Sequence, residues 1–178
     1  MHFQLTIINL FFLVLFLLIF AGQMAISLRK RYRDRNFQDF QPKTLVIVPI
    51  KGLDPTIKEN LLSIKKQNYT NYEILAVIDS DKEPVLPILK ELDIRYMISS
   101  SSCKSCSGKV RAISTAFENA TGYDVYVVAD SDATFGPAWL SSLVLPLSDK
   151  KIGVSTTFPH FIPVSGIWSR IKAVWGLV

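Results

Sequence analysis

Apolar residues along the chain fall into short runs that alternate with segments of helical periodicity. Runs of strand length predict five buried strands, at residues 45–50, 72–78, 94–98, 125–129 and 152–156. Apolar positions at helical spacing predict four helices between or after them, at residues 56–67, 84–92, 108–119 and 137–145. Strands that alternate with helices are typical of an α/β fold with a mostly parallel sheet.

A long uncharged apolar run, Leu5 to Leu28, precedes this pattern. A helix of about 20 such residues spans the hydrocarbon core of a bilayer. Basic residues cluster directly behind the run, between Arg29 and Arg35, and positive charge on that side predicts that the rest of the chain is cytoplasmic. We therefore expect residues 1–28 to form a single-pass transmembrane anchor and residues 29–43 a basic juxtamembrane linker.

Composition narrows the possible partners. The net charge is +5 and 49% of the residues are hydrophobic, which excludes a disordered chain. Because the basic residues are concentrated behind the apolar run, we expect no nucleic-acid partner. Cys103 and Cys106 form one C-x-x-C, which is interpreted as a loop pair, free or disulfide-bonded, with a redox role as the alternative.

The motif most informative about function is Asp130-Ser131-Asp132, directly after the apolar strand over 125–129. Side chains two residues apart in an extended segment point the same way, so both carboxylates can address one ligand. A divalent cation that bridges to phosphate oxygens fits, because Mg²⁺ typically uses one or two carboxylates plus substrate phosphates. The alternative is an ordinary turn without a ligand.

Charged residues also follow two other predicted strands. Lys51 comes after the strand over 45–50, and Asp79 and Asp81 come after the strand over 72–78. Ligands of open parallel sheets bind outside the carboxyl ends of the strands. Convergence of these residues with Asp130 would therefore form a nucleotide site.

The run Pro49-Ile50-Lys51-Gly52-Leu53-Asp54-Pro55 and the strand leading to Asp79 and Asp81 resemble ceramide glucosyltransferases and their relatives. These belong with the wider family 2 type glycosyltransferases of GT-A fold. The Gly108-Lys109 helix start and Asp130-Ser131-Asp132 are similar to the family's next two blocks. The resemblance implies that residues 44–160 form an incomplete GT-A-like nucleotide-sugar-binding domain.

The resemblance also implies ligands and roles. It implies a nucleotide-sugar donor, commonly a UDP-sugar, a divalent metal (Mn²⁺ or Mg²⁺) and a lipid acceptor at the membrane. Asp132 would be the metal ligand with Asp130 beside it, Lys109 would lie near the diphosphate, and Asp79 or Asp81 would contact the nucleoside. Pro49 and Lys51, in the most specific block, complete the expected nucleotide-binding residues.

The chain departs from the family after Asp132. The family has a third acidic residue, the general base, and a Gln-x-x-Arg-Trp block, whereas here only Asp149 is acidic and that block is absent. Asp149 is a weak candidate base, since its surroundings are typical of a solvated turn. The chain therefore resembles the N-terminal part of an enzyme, and a nucleotide-binding remnant without turnover is the main alternative.

Two further alternatives stay open. Asp130-Ser131-Asp132-Ala133-Thr134 also matches the D-x-D-x-T of haloacid-dehalogenase-type phosphotransferases, in which Asp130 would accept the phosphoryl group. Residues 161–178 combine apolar residues and tryptophans with basic residues. That mixture is typical of a helix in a membrane interface or of a core helix that has lost its covering elements.

Overall fold

The computed structural model describes residues 2–33, 40–100, 105–157 and 166–175. The chain divides into two compact units, Met1–Asp39 and Phe40–Val178. The first unit contains the helix α1 (His2–Arg33). The prediction of a helix over the apolar run is confirmed, and the helix continues into the segment that was expected to be a linker.

The prediction that this helix is a single-pass membrane anchor is wrong. Among the described residues, no helix is both long enough and apolar enough to cross a membrane. The predicted cytoplasmic placement of the second unit depended on this anchor and loses its basis.

The second unit is built on a parallel sheet. Its strands are β1 (Thr44–Ile50), β2 (Tyr72–Ile78), β3 (Arg95–Ile98) and β4 (Val125–Val128). Its helices are α2 (Ile57–Lys65), α3 (Leu86–Glu91), α4 (Gly108–Asn119), α5 (Trp139–Val144), a 3-10 helix (Leu145–Ser148) and α6 (Gly166–Trp175). The strand order is β3-β2-β1-β4, and every pairing is parallel. This confirms the predicted α/β class.

The alternation of side chains along β1 explains the layers of this unit. Leu45 and Ile47 point to one face, where they pack with Ala112 and Ala116 of α4. Val46, Val48 and Ile50 point to the other face, where they pack with buried residues of α2, α3 and α5. Both faces of β1 are therefore buried, which is why its sequence is continuously apolar.

Two sequence predictions need correction. The strand before Asp130 was expected to be buried, but β4 lies at the edge of the described sheet and Val128 is 40% exposed. No strand forms over 152–156, where Val154 is 84% exposed and no neighbouring strand offers hydrogen bonds.

The C-terminal segment is helical over α6, and residues 158–165 lie outside the described residues. Ile167 and Trp168 of α6 are exposed, at 70% and 74%. Exposed apolar side chains are compatible with both interpretations of residues 161–178, which stay predictions.

Candidate functional site

The carboxyl ends of the strands place the predicted charged residues along one edge of the sheet. Ile50, the last residue of β1, lies opposite Ile78, the last residue of β2, so Lys51 and Asp79 follow neighbouring strands. Strand order reverses between β1 and β4. Such a reversal opens a crevice outside the carboxyl ends, where ligands of parallel sheets bind.

Pro49 explains why the chain leaves the sheet after β4. The β1–β4 ladder includes Ile47 opposite Val128, and Ala129 N donates to Ile47 O at 2.9 Å. Pro49 lies two residues after Ile47, so its backbone nitrogen faces the same neighbour, and proline has no N–H to donate. The ladder stops there, and Asp130 begins a turn instead of continuing the strand. Pro49 is half-buried, and this backbone role does not depend on a ligand.

Two ion pairs join the predicted site residues. Lys51 Nζ lies 3.4 Å from Asp79 Oδ2, and the two side chains are 81% and 36% exposed. Lys109 Nζ donates to Asp130 Oδ1, and both of these side chains are more than half exposed. Each pair links two of the predicted residues, and the convergence of all of them on one nucleotide site stays a prediction. Exposed ion pairs stabilise a fold by about 0–1 kcal/mol, so these four charges are available to a ligand at little cost.

Lys109 owes its position to the start of α4. Ser107 caps this helix in an extended conformation, and its Oγ accepts a hydrogen bond from Val110 N at 3.4 Å. Lys109 therefore lies in the first turn, where the helix N-terminus adds partial positive charge. The Lys109 side chain reaches Asp130, and the positive charge of this helix start suits a diphosphate.

The loop between β1 and α2 has a fixed shape. Gly52 adopts a φ of +75°, a left-handed conformation that favours glycine. Its N–H donates to Glu83 Oε2 at 3.1 Å, which ties this loop to the loop after β2. Asp54 Oδ1 accepts hydrogen bonds from the Thr56 hydroxyl at 2.7 Å and from Thr56 N at 2.8 Å. These two bonds, the hydroxyl first, hold the pKa of Asp54 below its ordinary value.

Sequence reasoning missed two residues of this site, Glu83 and Asn60. Glu83 carries no motif, and its role depends on a glycine 31 positions earlier. Asn60 did leave a signal, because it occupies a position in the apolar stripe of α2 between Ile57 and Ile64. It is 2% exposed, and its Nδ2 donates to the backbone oxygen of Ser131, between the two carboxylates, at 3.1 Å.

The carboxylates fit a divalent metal that is shared with a substrate. Asp130 and Asp132 are both exposed, and Asp81 is exposed on the loop after β2. Among the described residues, no group of three or more His, Cys, Asp or Glu side chains could hold a metal alone. Two hard carboxylate oxygens nevertheless match the donor set that Mg²⁺ uses when phosphate oxygens complete the shell.

Two other predicted residues lie in local structures. Asp149 ends the 3-10 helix, and its Oδ1 accepts a hydrogen bond from Lys151 N at 3.0 Å. This is the solvated turn that its sequence context indicated. Cys106 is disulfide-bonded, which agrees with a loop pair, whereas Cys103 lies outside the described residues.

The comparisons with known proteins match most of this chain. The family model of Glycosyl transferase family 21 matches residues 10–175 of this chain. Among solved structures, the chain is similar to the mannosyltransferase PcManGT from Pyrobaculum calidifontis in complex with GDP-Man and Mn²⁺, with a TM-score of 0.54 and 22% identity. The match covers 75% of this chain and 42% of the mannosyltransferase. At this identity the likeness shows a shared fold, which confirms the GT-A-like fold class.

A second solved structure, S. aureus TarS 1–349, is similar with a TM-score of 0.49 and 18% identity. That match covers 69% of this chain and 40% of TarS 1–349. The chain thus spans less than half the length of either protein.

Proposed function

Because the chain belongs to glycosyl transferase family 21, we propose that it binds a nucleotide-sugar donor, a UDP-sugar, at the carboxyl ends of β1, β2 and β4. The bound sugar is the group to be transferred, and the acceptor is a lipid. Membership of this family favours a role in sugar transfer for Asp130 and Asp132 over the phosphoryl transfer of haloacid-dehalogenase-type enzymes. The observation that carries the proposal is the Asp130-Ser131-Asp132 turn beside Lys109, at the edge where parallel sheets bind ligands.

The charges of this edge suit a nucleoside diphosphate. Lys109 and the N-terminus of α4 present positive charge to the phosphates. Asp132, with Asp130 beside it, supplies carboxylate oxygens for a Mn²⁺ or Mg²⁺ ion. The metal, when bound, neutralises the diphosphate and so stabilises it as a leaving group. GDP-Man and Mn²⁺ bound to the mannosyltransferase of similar fold support this class of ligand.

The loop after β2 is proposed to contact the nucleoside. Asp79 is held near β1 by Lys51, and Asp81 is exposed two residues later. Carboxylates in these positions can accept hydrogen bonds from the base or the ribose. Glu83 accepts a hydrogen bond from Gly52 N, so the two loops that would flank the nucleoside are joined to each other without a ligand.

The lipid acceptor rests on the resemblance of the first block, around Pro49 to Pro55, to ceramide glucosyltransferases. The exposed Ile167 and Trp168 of α6 are compatible with an apolar acceptor. The base that would take the proton of the acceptor hydroxyl is not assigned, because Asp149 is bonded within its own turn. We therefore expect these 178 residues to bind the donor better than they turn it over.

A melting experiment tests the proposed site. Ligand binding raises the melting temperature according to RT ln(1 + [L]/Kd), so UDP-glucose, UDP-GlcNAc and GDP-Man are compared with and without Mn²⁺. A UDP-sugar should raise the melting temperature more when Mn²⁺ is present. Asp132→Ala should remove the part of the shift that depends on metal, and Asp81→Ala should lower the shift with and without metal.

The matched control is Asp149→Ala, which removes an exposed carboxylate outside the proposed site and should leave all shifts unchanged. Transfer to a ceramide acceptor is measured in parallel. Metal-independent binding that survives Asp132→Ala would contradict the metal site. Binding without any transfer would favour the nucleotide-binding remnant over the enzyme.

A further inference from the structure

Asn60 is a polar residue in an apolar environment. Its neighbours on the buried side of α2, Ile57, Leu61 and Ile64, are between 0% and 2% exposed, and Asn60 itself is 2% exposed. Burial of an amide costs free energy unless its groups are hydrogen-bonded. A leucine would fill this position without that cost, so the contacts of the amide indicate why asparagine stands there.

The amide of Asn60 joins two loops of the proposed site. Its Nδ2 donates to Ser131 O and to Thr56 Oγ1, both at 3.1 Å. Its Oδ1 accepts a hydrogen bond from Thr134 Oγ1 at 2.7 Å. Both donor positions and the acceptor are therefore used, and two of the three bonds go to the segment that follows β4.

Two more polar side chains on the same face of α2 also form hydrogen bonds to the segment that follows β4. Ser63 Oγ accepts a hydrogen bond from Phe135 N at 3.0 Å. Gln67, just after α2, donates to Gly136 O and accepts from Leu140 N, each at 2.9 Å. Residues 60, 63 and 67 share one face at helical spacing. They supply the segment 131–140 with the hydrogen bonds that strand pairing no longer provides after Ala129.

Asn60 differs from the other two in what it holds. Ser63 and Gln67 bind the backbone after the carboxylates, whereas Asn60 binds Ser131, the residue between Asp130 and Asp132. The direction of both carboxylates depends on the backbone of this turn. Among the described residues, the exposed Lys109–Asp130 pair also contacts the turn, and a ligand would compete for it.

We propose that Asn60 is a positioning residue, which fixes the Asp130–Asp132 turn so that both carboxylates face one metal ion and its diphosphate. This inference rests on the proposed function for the identity of the ligand. Residues that orient metal-binding side chains change metal affinity by about 10- to 100-fold when they are replaced. A residue that only stabilises the fold would lower the melting temperature and leave that affinity unchanged.

Two matched substitutions separate these roles in the full chain. Asn60→Asp and Gln67→Glu each replace a buried amide NH₂ by oxygen on the same face of α2, and each removes a donor to one backbone oxygen of the segment after β4. Mn²⁺ binding in the presence of saturating UDP is measured from the electron paramagnetic resonance signal of free Mn²⁺. Amide hydrogen exchange of residues 130–134 is measured without any ligand.

Asn60→Asp should weaken Mn²⁺ binding by about tenfold or more and speed exchange at residues 130–134. Gln67→Glu should leave Mn²⁺ affinity within about twofold, although it lowers the melting temperature as well. If Asn60→Asp does not fold, Thr134→Val takes its place, because Thr134 is exposed, and Thr134→Ser should restore the affinity that Thr134→Val loses.

Equal Mn²⁺ affinity in Asn60→Asp and the unchanged chain would overturn the positioning role. Faster amide exchange at residues 130–134 in Gln67→Glu, by as much as in Asn60→Asp, would overturn it as well. If the unchanged chain binds no Mn²⁺ with UDP, the proposed function fails instead. The ligand-free exchange then still decides whether Asn60 holds the turn.

Discussion

The charged side chains at the two ends of the sheet differ in how they are paired. At the amino ends of the strands, Glu73 of β2 accepts a hydrogen bond from Tyr123 Oη at 2.7 Å and pairs with Arg95 at 3.4 Å and Lys43 at 3.8 Å. Lys43 Nζ also lies 4.6 Å from the centroid of the Tyr123 ring. At the carboxyl ends, each described ion pair joins only two residues, and Asp81 and Asp132 are exposed.

We interpret this difference as a division between an end that stabilises the fold and an end that would bind the proposed ligand. The amino-end cluster, defined as Lys43, Glu73, Arg95 and Tyr123, takes one residue from near the start of each of the four described strands. Its one carboxylate is paired with two cations. At the carboxyl end, acidic and basic groups are accessible to solvent. Hydrogen bonds of Asn60 and Glu83 hold the backbone of the loops at this end. Predictions on the free energy of unfolding sharpen this comparison.

The largest effect on stability is expected at the buried start of β1. Thr44 is fully buried, and its Oγ1 donates to Pro42 O at 2.9 Å and lies 3.2 Å from Tyr69 Oη. Thr44→Val removes both contacts, while Tyr69 Oη still donates to Pro42 O at 2.7 Å, so the substitution should cost about 0.5–1.5 kcal/mol. Thr70→Val, an exposed control that loses one bond to Gln41, should cost less than about 0.5 kcal/mol. Urea unfolding of both variants measures the difference, and equal costs would contradict it.

A smaller effect is expected at the centre of the amino-end cluster. Glu73→Gln keeps an acceptor for Tyr123 but removes two ion pairs of half-exposed side chains, so the loss should be about 0–1 kcal/mol. The loss should shrink at high salt, because salt screens exposed charges. Urea unfolding at low and high salt tests this, with Glu91→Gln, which breaks the separate Lys58–Glu91 pair, as control. A loss that salt does not change would show that packing, rather than charge, holds the cluster.

The same cluster predicts a weak alkaline dependence of stability. Burial raises the pKa of Tyr123, and the hydrogen bond to Glu73 raises it further. A raised pKa means that the stabilising contribution is complete below the ordinary value near 10 and is lost as pH rises through the folded value. Tyr123→Phe should therefore flatten the decline in melting temperature above pH 10, although burial also raises the pKa of Tyr69 and Tyr72. An unchanged decline would exclude Tyr123 as a contributor.

The smallest effect on stability is expected at the carboxyl end. Asp79→Asn breaks an exposed ion pair with Lys51 and should change the free energy of unfolding by less than about 0.5 kcal/mol. The same substitution should weaken binding of UDP, because Asp79 is proposed to face the nucleoside. Calorimetric titration with UDP, alongside urea unfolding, separates the two quantities. A large loss of stability with normal UDP binding would reverse the assignment of the two ends.

The fold was largely predictable where hydrophobic patterns are continuous. β1, β2 and α4 form almost as their patterns predict, because each contributes buried side chains to the core of the second unit. The position of β4 at the sheet edge depends on strand order, which a local pattern does not encode. The predicted strand over 152–156 fails for a related reason, since a strand needs a neighbour and Val154 has none within the described sheet.

The site was predictable only in its charged part. Lys51, Asp79, Lys109 and Asp130 follow strands or begin a helix, so topology alone brings them to one edge. The residues that hold the loops are separated from their partners by long stretches of sequence, 71 positions between Asn60 and Ser131. The signal for this contact was Asn60, a single polar residue in the apolar stripe of α2. The sequence analysis looked for charges at strand ends, and Asn60 is neither charged nor at the end of a strand.

The central claim is that the carboxyl end of the sheet binds the nucleotide and the amino end does not. Methyl groups of buried residues report both ends by nuclear magnetic resonance: Ile50 and Ile78 end β1 and β2, whereas Leu45 and Ile94 lie at the starts of β1 and β3. Saturating UDP with Mg²⁺ should shift the signals of Ile50 and Ile78 and leave those of Leu45 and Ile94 in place. Shifts confined to Leu45 and Ile94, or no shift at saturation, would contradict the account.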